Sequence, residues 1–342
     1  MTIGILQLGA GIRGRHWLAF LRQHPDFRLL AVVEPHPANR ERARALAGEE
    51  VRWFEDLDGA LAEVRAEAAL IATPSALHAE HSLRCLEAGL VVLVEKPLAT
   101  SVEEARTVIA KAKEVGRQLI VAENYRFFAA ERTLKAKIAA GLIGKVDHIQ
   151  FTDRRHMPRG SEGDWLFTMD YPQLQEIAIH HFDSLRAFLG TPRAVHARVW
   201  NPPWSHYAHG AASEAIIDFG DAQAVYLGTL MSHRFGCSIW IEGEEGVLWS
   251  NRKYVFFRPR GSRWFRPLRN LRVPPGDEKS YPQGGTTSLL NSLRDAVRHG
   301  TPAETRAEDN IWTLAMVEAG KRSDREGRRV GLAEVYPDPF PL

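Results

Sequence analysis

Residues 3–14 read Ile3-Gly4-Ile5-Leu6-Gln7-Leu8-Gly9-Ala10-Gly11-Ile12-Arg13-Gly14, and Glu34 follows twenty positions after Gly14. An apolar run with the character of a strand leads into the glycines, and His16-Trp17-Leu18-Ala19-Phe20-Leu21 has the character of a helix. A second apolar run, Leu29-Leu30-Ala31-Val32-Val33, ends at the acid. In that context each glycine has a physical task. Gly9 permits the tight turn, Gly11 lets the backbone approach a pyrophosphate, and Gly14 lets helix and strand pack closely. The N–H groups at the helix start can hold phosphate oxygens. A carboxylate at Glu34 accepts hydrogen bonds from an adenosine ribose diol and repels a 2′-phosphate, so the pattern favours NAD over NADP. Arg40 and Arg42, close by in sequence, can soften that repulsion.

Outward from this motif, short apolar runs recur at Ile3–Leu8, Leu29–Val33, Ala68–Ala72, Leu90–Val94 and Gln118–Ala122. Helical stretches such as Ala38–Ala47, Ala76–Ala88 and Val102–Val115 separate them, the last opened by a capping box of Ser101 and Glu104. Strands alternating with helices predict an α/β Rossmann domain, a doubly wound parallel sheet, over residues 1–123. Beyond it the apolar runs lengthen and alternate, at Val146–Arg154, Ala194–Trp200, Glu214–Phe219, Ala224–Met231, Ser238–Glu242, Val247–Ser250 and Tyr254–Arg258. Helical patterns cover Glu131–Ala140, Gln173–Leu189, Thr287–Arg298 and Ala307–Glu326. Residues 124–342 therefore read as an α+β domain for substrate binding and oligomerisation, with a large, mostly antiparallel open-faced sheet; the final helices are free to pack back on the first domain.

The 342 residues suit about two domains. Their 44 basic and 42 acidic side chains give no overall drive toward nucleic acid or membrane. Cys85 and Cys237 are too few for a disulfide framework or a cysteine-based metal knot, which suits a reducing cytoplasm. No apolar run approaches the roughly 20 residues needed to span a bilayer, and no basic leader precedes an apolar segment. The expectation is a soluble, cytoplasmic chain.

Two places carry chemistry. Lys96 follows Leu90-Val91-Val92-Leu93-Val94-Glu95, at the carboxyl end of a parallel strand where ligands of such sheets bind. An ammonium there can stabilise developing alkoxide charge, and a cis Lys96–Pro97 bond would fix the turn. In the helix at 173–185, a rotation of about 100° per residue puts Leu174, Ile177, Ala178, His181 and Leu185 on one stripe. His181 reads as a packed core residue. Glu176, His180 and Asp183 fall opposite: either the carboxylates at i−4 and i+3 orient His180 as a general acid/base, or the three form a merely solvated face. His78 with His81, and His206 with His209, lack an evident third ligand, so no metal site is expected. The arginine-rich, aromatic segment Arg252–Arg272 reads as an edge strand and loop, or a subunit contact, rather than a nucleic-acid surface.

The fingerprint occurs in order with Thr73-Pro74 and His78, Glu95-Lys96-Pro97, Asn124-Tyr125-Arg126-Phe127, Gly141-Leu142-Ile143-Gly144-Lys145-Val146, Glu176-x-x-x-His180-x-x-Asp183 and Glu242-Gly243-Glu244-Glu245-Gly246. Over nearly its whole length the chain resembles the glucose–fructose oxidoreductase / myo-inositol dehydrogenase / MocA family. The resemblance implies a Rossmann domain followed by an open-faced sheet domain. It implies a nicotinamide cofactor held by Gly9, Gly11, Ile12, Arg13, Gly14, Glu34, Thr73, Pro74, His78, Glu95, Lys96, Asn124 and Arg126. It also implies hydride transfer at a secondary alcohol of a sugar, cyclitol or related polyol lying over the nicotinamide between the domains. Lys96 matches the family's catalytic lysine and His180 its acid/base histidine; Glu176 stands where the family usually has aspartate, keeping the carboxylate and lengthening its reach. Tyr171-Pro172-Gln173 replaces the glycines that often precede this helix, which alters the pocket wall. Apart from the resemblance, His156, Trp165, His233 and Tyr281 lie near sheet ends or loops where polyol contacts can form, with ordinary packing or exposure as the competing reading. A homodimer or homotetramer is implied, with no nucleic-acid or membrane partner. The competing readings are a glycosidase that uses transient oxidation by NAD and a non-catalytic dinucleotide or sugar sensor.

Overall fold

The structure, a computed structural model, describes residues 2–157, 165–278 and 283–337. The chain divides into two compact units, Met1–Asn124 with Pro274–Ile311, and Tyr125–Val273 with Trp312–Pro341.

The first unit alternates strand and helix: β1 (Ile3–Leu8), α1 (Ile12–Gln23), β2 (Phe27–Val33), α2 (Pro37–Ala47), β3 (Arg52–Phe54), α3 (Leu57–Glu63), β4 (Ala68–Ile71), α4 (His78–Glu87), β5 (Val91–Val94), α5 (Val102–Glu114) and β6 (Leu119–Val121). The strands form one sheet in the order β3-β2-β1-β4-β5-β6, every pairing parallel. β4 and β5 are buried along their whole length, as strands covered on both faces must be. Local chemistry sets the helix starts. Asp56 caps α3 through the Gly59 N–H (2.8 Å), and the Ser101 hydroxyl caps α5 through the Glu104 N–H (3.2 Å). Glu104 reaches back to the N–H and hydroxyl of Thr100, one residue before the cap. After the second unit the chain returns to the first with α9 (Thr286–His299), which packs on β5 and α1. Its first N–H groups are held by the Asp277 carboxylate, at Thr287 (2.9 Å) and Ser288 (2.8 Å).

The second unit contains α6 (Ala129–Ala139), β7 (Val146–His156), α7 (Trp165–Thr168), a π-helical segment (Gln173–Ala178), α8 (Ile179–Leu189), β8 (Ala194–Trp200), β9 (Ala212–Asp218), β10 (Gln223–Thr229), β11 (Met231–Gly243), β12 (Gly246–Ser250), β13 (Val255–Pro259) and β14 (Arg266–Leu268). α10 (Ala307–Glu326), β15 (Val330–Gly331) and α11 (Leu332–Val335) follow α9. Nine strands make one sheet in the order β14-β13-β12-β11-β7-β10-β9-β8-β15, antiparallel throughout except for the parallel β7–β10 pair. One face packs on helices. On the other, the register aligns Phe256, Trp249, Trp240, Gln150, Val225, Ile216 and His196 in a row across seven strands.

Candidate active site

In the first unit the glycine turn is shaped by contacts that admit no side chain. Gly9 has φ +90°, and a Cβ there would lie 2.5 Å from the Ala72 carbonyl oxygen. A Cβ on Gly14 would lie 2.3 Å from the Gly9 carbonyl oxygen, so helix and turn touch through that position. Among the described residues, no atom beyond its own chain neighbours lies within 4 Å of the Gly11 Cβ position. Gly11 caps α1 without a side-chain bond, and the neighbouring Ile12 is 74% exposed. An open backbone cradle at a helix N-terminus fits a pyrophosphate. Gln7, buried in the middle of β1, donates its amide to the carbonyls of Gly9 and Gly14 (both 2.9 Å) and ties the turn. A glutamine inside an otherwise apolar strand was the signal for this brace.

Glu34 directly follows β2, with both oxygens engaged by backbone. Oε2 accepts the Ala10 N–H (2.8 Å) and Oε1 the His36 N–H (3.0 Å). The carboxylate is thus anchored beside the glycine turn, as an acid facing a ribose diol must be. Arg40 is paired with Glu55 (3.0 Å).

Glu95 lies buried at the end of β5. It accepts the Trp17 indole N–H (2.7 Å) and is bound by Arg13. Burial works to raise the Glu95 carboxyl, but the Arg13 guanidinium, the two hydrogen bonds and Lys96 hold it below the usual carboxylate range. The next residue, Lys96, enters a cis bond to Pro97 and is half-buried. His78 is fully enclosed; its Nδ1 lies 2.7 Å from the Pro97 carbonyl oxygen and its Nε2 3.0 Å from that of Thr73. The ring therefore ties together the loops after β4 and β5 that carry Thr73, Pro74 and Lys96. Burial depresses its proton affinity. Asn124 donates its amide to the Gly284 carbonyl (2.8 Å).

In the second unit the helical wheel needs correction. Gln173–Ala178 is wound as a π-helix, so the α-helical spacing assumed between Glu176 and His180 does not apply. Gln173 explains the winding. Its amide donates to the Tyr226 hydroxyl (2.7 Å) while its Oε1 accepts from Ser213, anchoring the segment on β9 and β10. A Cβ on Gly228 would meet Gln173 at 1.9 Å, so only glycine in β10 lets the segment sit this close. The face read as solvated is also wrong: α8 is buried nearly all round, including His180 and Asp183. Asp183, 1% exposed, accepts from Arg126 Nε (2.8 Å) and Nη2 (2.6 Å), with Thr313 donating at 3.1 Å. The sheet and α6 both pack against this stretch, and a polar face inside a layered unit must bring its own partners. His180 stacks on Tyr125, the ring centroids 4.2 Å apart and the planes within 12°. Glu176 is half-buried. His181 is fully buried and shares a 2.9 Å hydrogen bond with the Tyr226 hydroxyl, as its place in the apolar stripe predicts. Burial, and then the Arg252 and Arg155 guanidiniums, push its proton affinity far down.

His156 ends β7 and His233 lies near the start of β11. There Met231 pairs with His156 and Gly236 with Arg154, so residues 232–235 loop out opposite Arg155. Phe235 lies edge-on to His156 (6.2 Å) and Trp204 beside His233 (5.2 Å). Trp165 opens α7, which packs into a cluster with Tyr207 and Met231. Tyr281 lies outside the described residues. Among the described residues, no three His, Cys, Asp or Glu side chains gather as a metal would need, and no helix is long and apolar enough to cross a membrane.

A Rossmann sheet carrying the fingerprint, an acid anchored beside its glycine turn and a lysine at the end of β5 defines a nicotinamide-dependent oxidoreductase. Residues 3–123 match the oxidoreductase family with the NAD-binding Rossmann fold, and residues 132–249 match the GFO/IDH/MocA C-terminal domain. The chain belongs to the GFO/IDH/MocA family of NAD(P)-dependent oxidoreductases. It is 25% identical to the inositol 2-dehydrogenase of Rhizobium meliloti, over 97% of this chain and 100% of the relative. It is 26% identical to the NADP(+)-dependent scyllo-inositol 2-dehydrogenase of Bacillus subtilis, over 78% and 79% of the two chains. A solved oxidoreductase from Agrobacterium radiobacter, in complex with NAD+, L-tartaric acid and magnesium, shares the fold with a TM-score of 0.88 at 19% identity, covering 98% of this chain and 99% of that one.

Proposed function

We propose that the chain oxidises a secondary alcohol of a sugar, cyclitol or related polyol with NAD, in the cytoplasm, with Lys96 and His180 serving the reaction. The observation that carries this reading is the pairing at each residue. Lys96 follows a carboxylate fixed by Arg13 and Trp17, and His180 lies one turn before a carboxylate closed by Arg126. Both chemical groups thus stand on loops or helices whose charges are already compensated. Bound NAD supplies the hydride acceptor. His180 takes the hydroxyl proton on an imidazole nitrogen as the carbon–hydrogen bond gives up its hydride, and Lys96 donates a hydrogen bond to the oxygen. Glu176 holds a neighbouring hydroxyl of the polyol. Ile12, Arg13, Thr73, Pro74, His78, Asn124 and Arg126 shape or support the cofactor site. His156, Trp165, His233 and Tyr281 are proposed to contact the polyol.

NAD is preferred over NADP because the Glu34 carboxylate is anchored by two backbone N–H groups and so cannot swing away from a 2′-phosphate. The open sheet face supports a homodimer or homotetramer. Ile216 and Val225 are exposed there, in register with Trp240, Trp249 and Phe256, and a second copy of the same face would cover this row. The chemistry is tested by absorbance at the reduced-nicotinamide band with NAD and a panel of inositols, aldoses and sugar acids. NADH formation with one class is the expected result. No NADH with any compound, from protein that binds NAD, would overturn it.

A further inference from the structure

His180 rests against a buried stack that draws on several other elements. Tyr125, 2% exposed, lies flat on its imidazole. The Tyr125 hydroxyl receives a hydrogen bond from Arg155 Nη2 (3.1 Å), and Arg155 Nε donates to Asp153 (2.6 Å). The Arg252 guanidinium stands 4.7 Å over the centre of the same Tyr125 ring. Its Nε donates to the buried Glu131 of α6 (2.8 Å), and its Nη1 lies 3.7 Å from Asp153. Phe128 closes on Tyr125 at 4.7 Å. Two guanidiniums and two carboxylates thus compensate one another around one phenol ring.

The backbone adds a separate sign. Arg252 has φ +70°, a left-handed conformation that a side-chain-bearing residue holds only where its surroundings fix it there. The turn between β12 and β13 is bent so that an arginine points inward, where burying the charge is costly. A buried ionic cluster is weak evidence for stability. Here its members converge on the ring that supports His180.

We propose that Tyr125 is a positioning residue for His180, and that Arg252 and Arg155 fix Tyr125 as a flat, immobile support. This rests on His180 being the proton acceptor. Stacking sets the plane of the imidazole. A proton acceptor needs that constraint, because a misplacement of about 1 Å can cost about a hundredfold in rate.

The test uses the full-length protein with NAD and the polyol found in the panel, measuring kcat, both KM values and the melting temperature. Tyr125→Leu removes the flat face, and kcat is expected to fall about 10- to 100-fold with the KM for NAD unchanged within about twofold. Tyr125→Phe keeps the face and is expected to restore kcat to within about threefold of wild type. Arg252→Lys keeps a cation beside Glu131 and loses the planar contact, so it should fall between the two. Unchanged kcat in Tyr125→Leu overturns the proposal. So do equal kcat losses in the Leu and Phe variants that track their melting temperatures, since these would mark Tyr125 as packing alone. His180→Ala separates the two readings: lost kcat there with full kcat in Tyr125→Leu defeats this inference only, whereas full kcat in His180→Ala defeats the proton-acceptor reading and this one with it.

Discussion

The two units solve the same problem, a buried carboxylate beside a residue proposed to react, by different means. In the first, Glu95 lies at the end of β5, and Arg13 and Trp17 reach it from a single helix, α1. In the second, Asp183 lies within α8, and its partners Arg126 and Thr313 come from far apart in sequence. The parallel sheet builds its site at one strand end, so the residues that meet are spaced by the strand–turn–helix repeat. In the second unit the corresponding groups lie on a buried helix, where each polar group needs a partner from a different element. The same contrast appears in Glu95 and Glu131. Both are buried and arginine-bound, yet the Glu95 carboxyl is held down while burial keeps that of Glu131 up despite Arg252.

Variants can break or sharpen this contrast. Lys96→Met should lower kcat by about 10²–10³, the range for losing one donor to a developing oxyanion, while NAD affinity, measured by fluorescence titration, changes far less. Asp183→Ala should destabilise the second unit by about 3–5 kcal/mol, because it removes the carboxylate paired with the buried Arg126 guanidinium; denaturant unfolding reads this, and a loss under 1 kcal/mol would show the pair to be dispensable. Glu34→Arg should shift the NAD-to-NADP preference by at least about tenfold toward NADP, measured as the ratio of dissociation constants.

The smallest effect is a pH dependence. The folded-state affinity of Glu95 for a proton is depressed, so its contribution to stability is complete above the ordinary carboxylate value of about 4.3 and fades as pH falls through the lower folded value. The stability gap between wild type and Glu95→Gln should therefore shrink on acidification. A gap that widened would mean that the carboxyl is instead held protonated.

The first unit was legible because its requirements are local. The glycine spacing, the acid after β2 and the lysine after β5 each follow from neighbours in sequence. β3 and α3 escaped because three- and seven-residue elements carry too little periodicity. In the second unit the strands were visible through their alternation, but the environment of His180 was not. The wheel assumed α-helical winding, whereas Gln173 locks the preceding turn onto Ser213 and Tyr226 in a π-helix. Burial of Asp183 depends on Arg126, 57 residues away, and no local pattern reveals that pairing. Arg252 carried a signal of the opposite kind: it was grouped with an arginine-rich edge segment, yet it turns inward to Glu131.

Proton transfer by His180, separate from cofactor binding by the first unit, is tested most directly by measuring kcat and the NADH dissociation constant side by side for wild type and His180→Ala. The expected result is a fall in kcat of about 10²–10⁴ with the dissociation constant unchanged within about twofold. A retained kcat, or matched losses in both quantities, would contradict it.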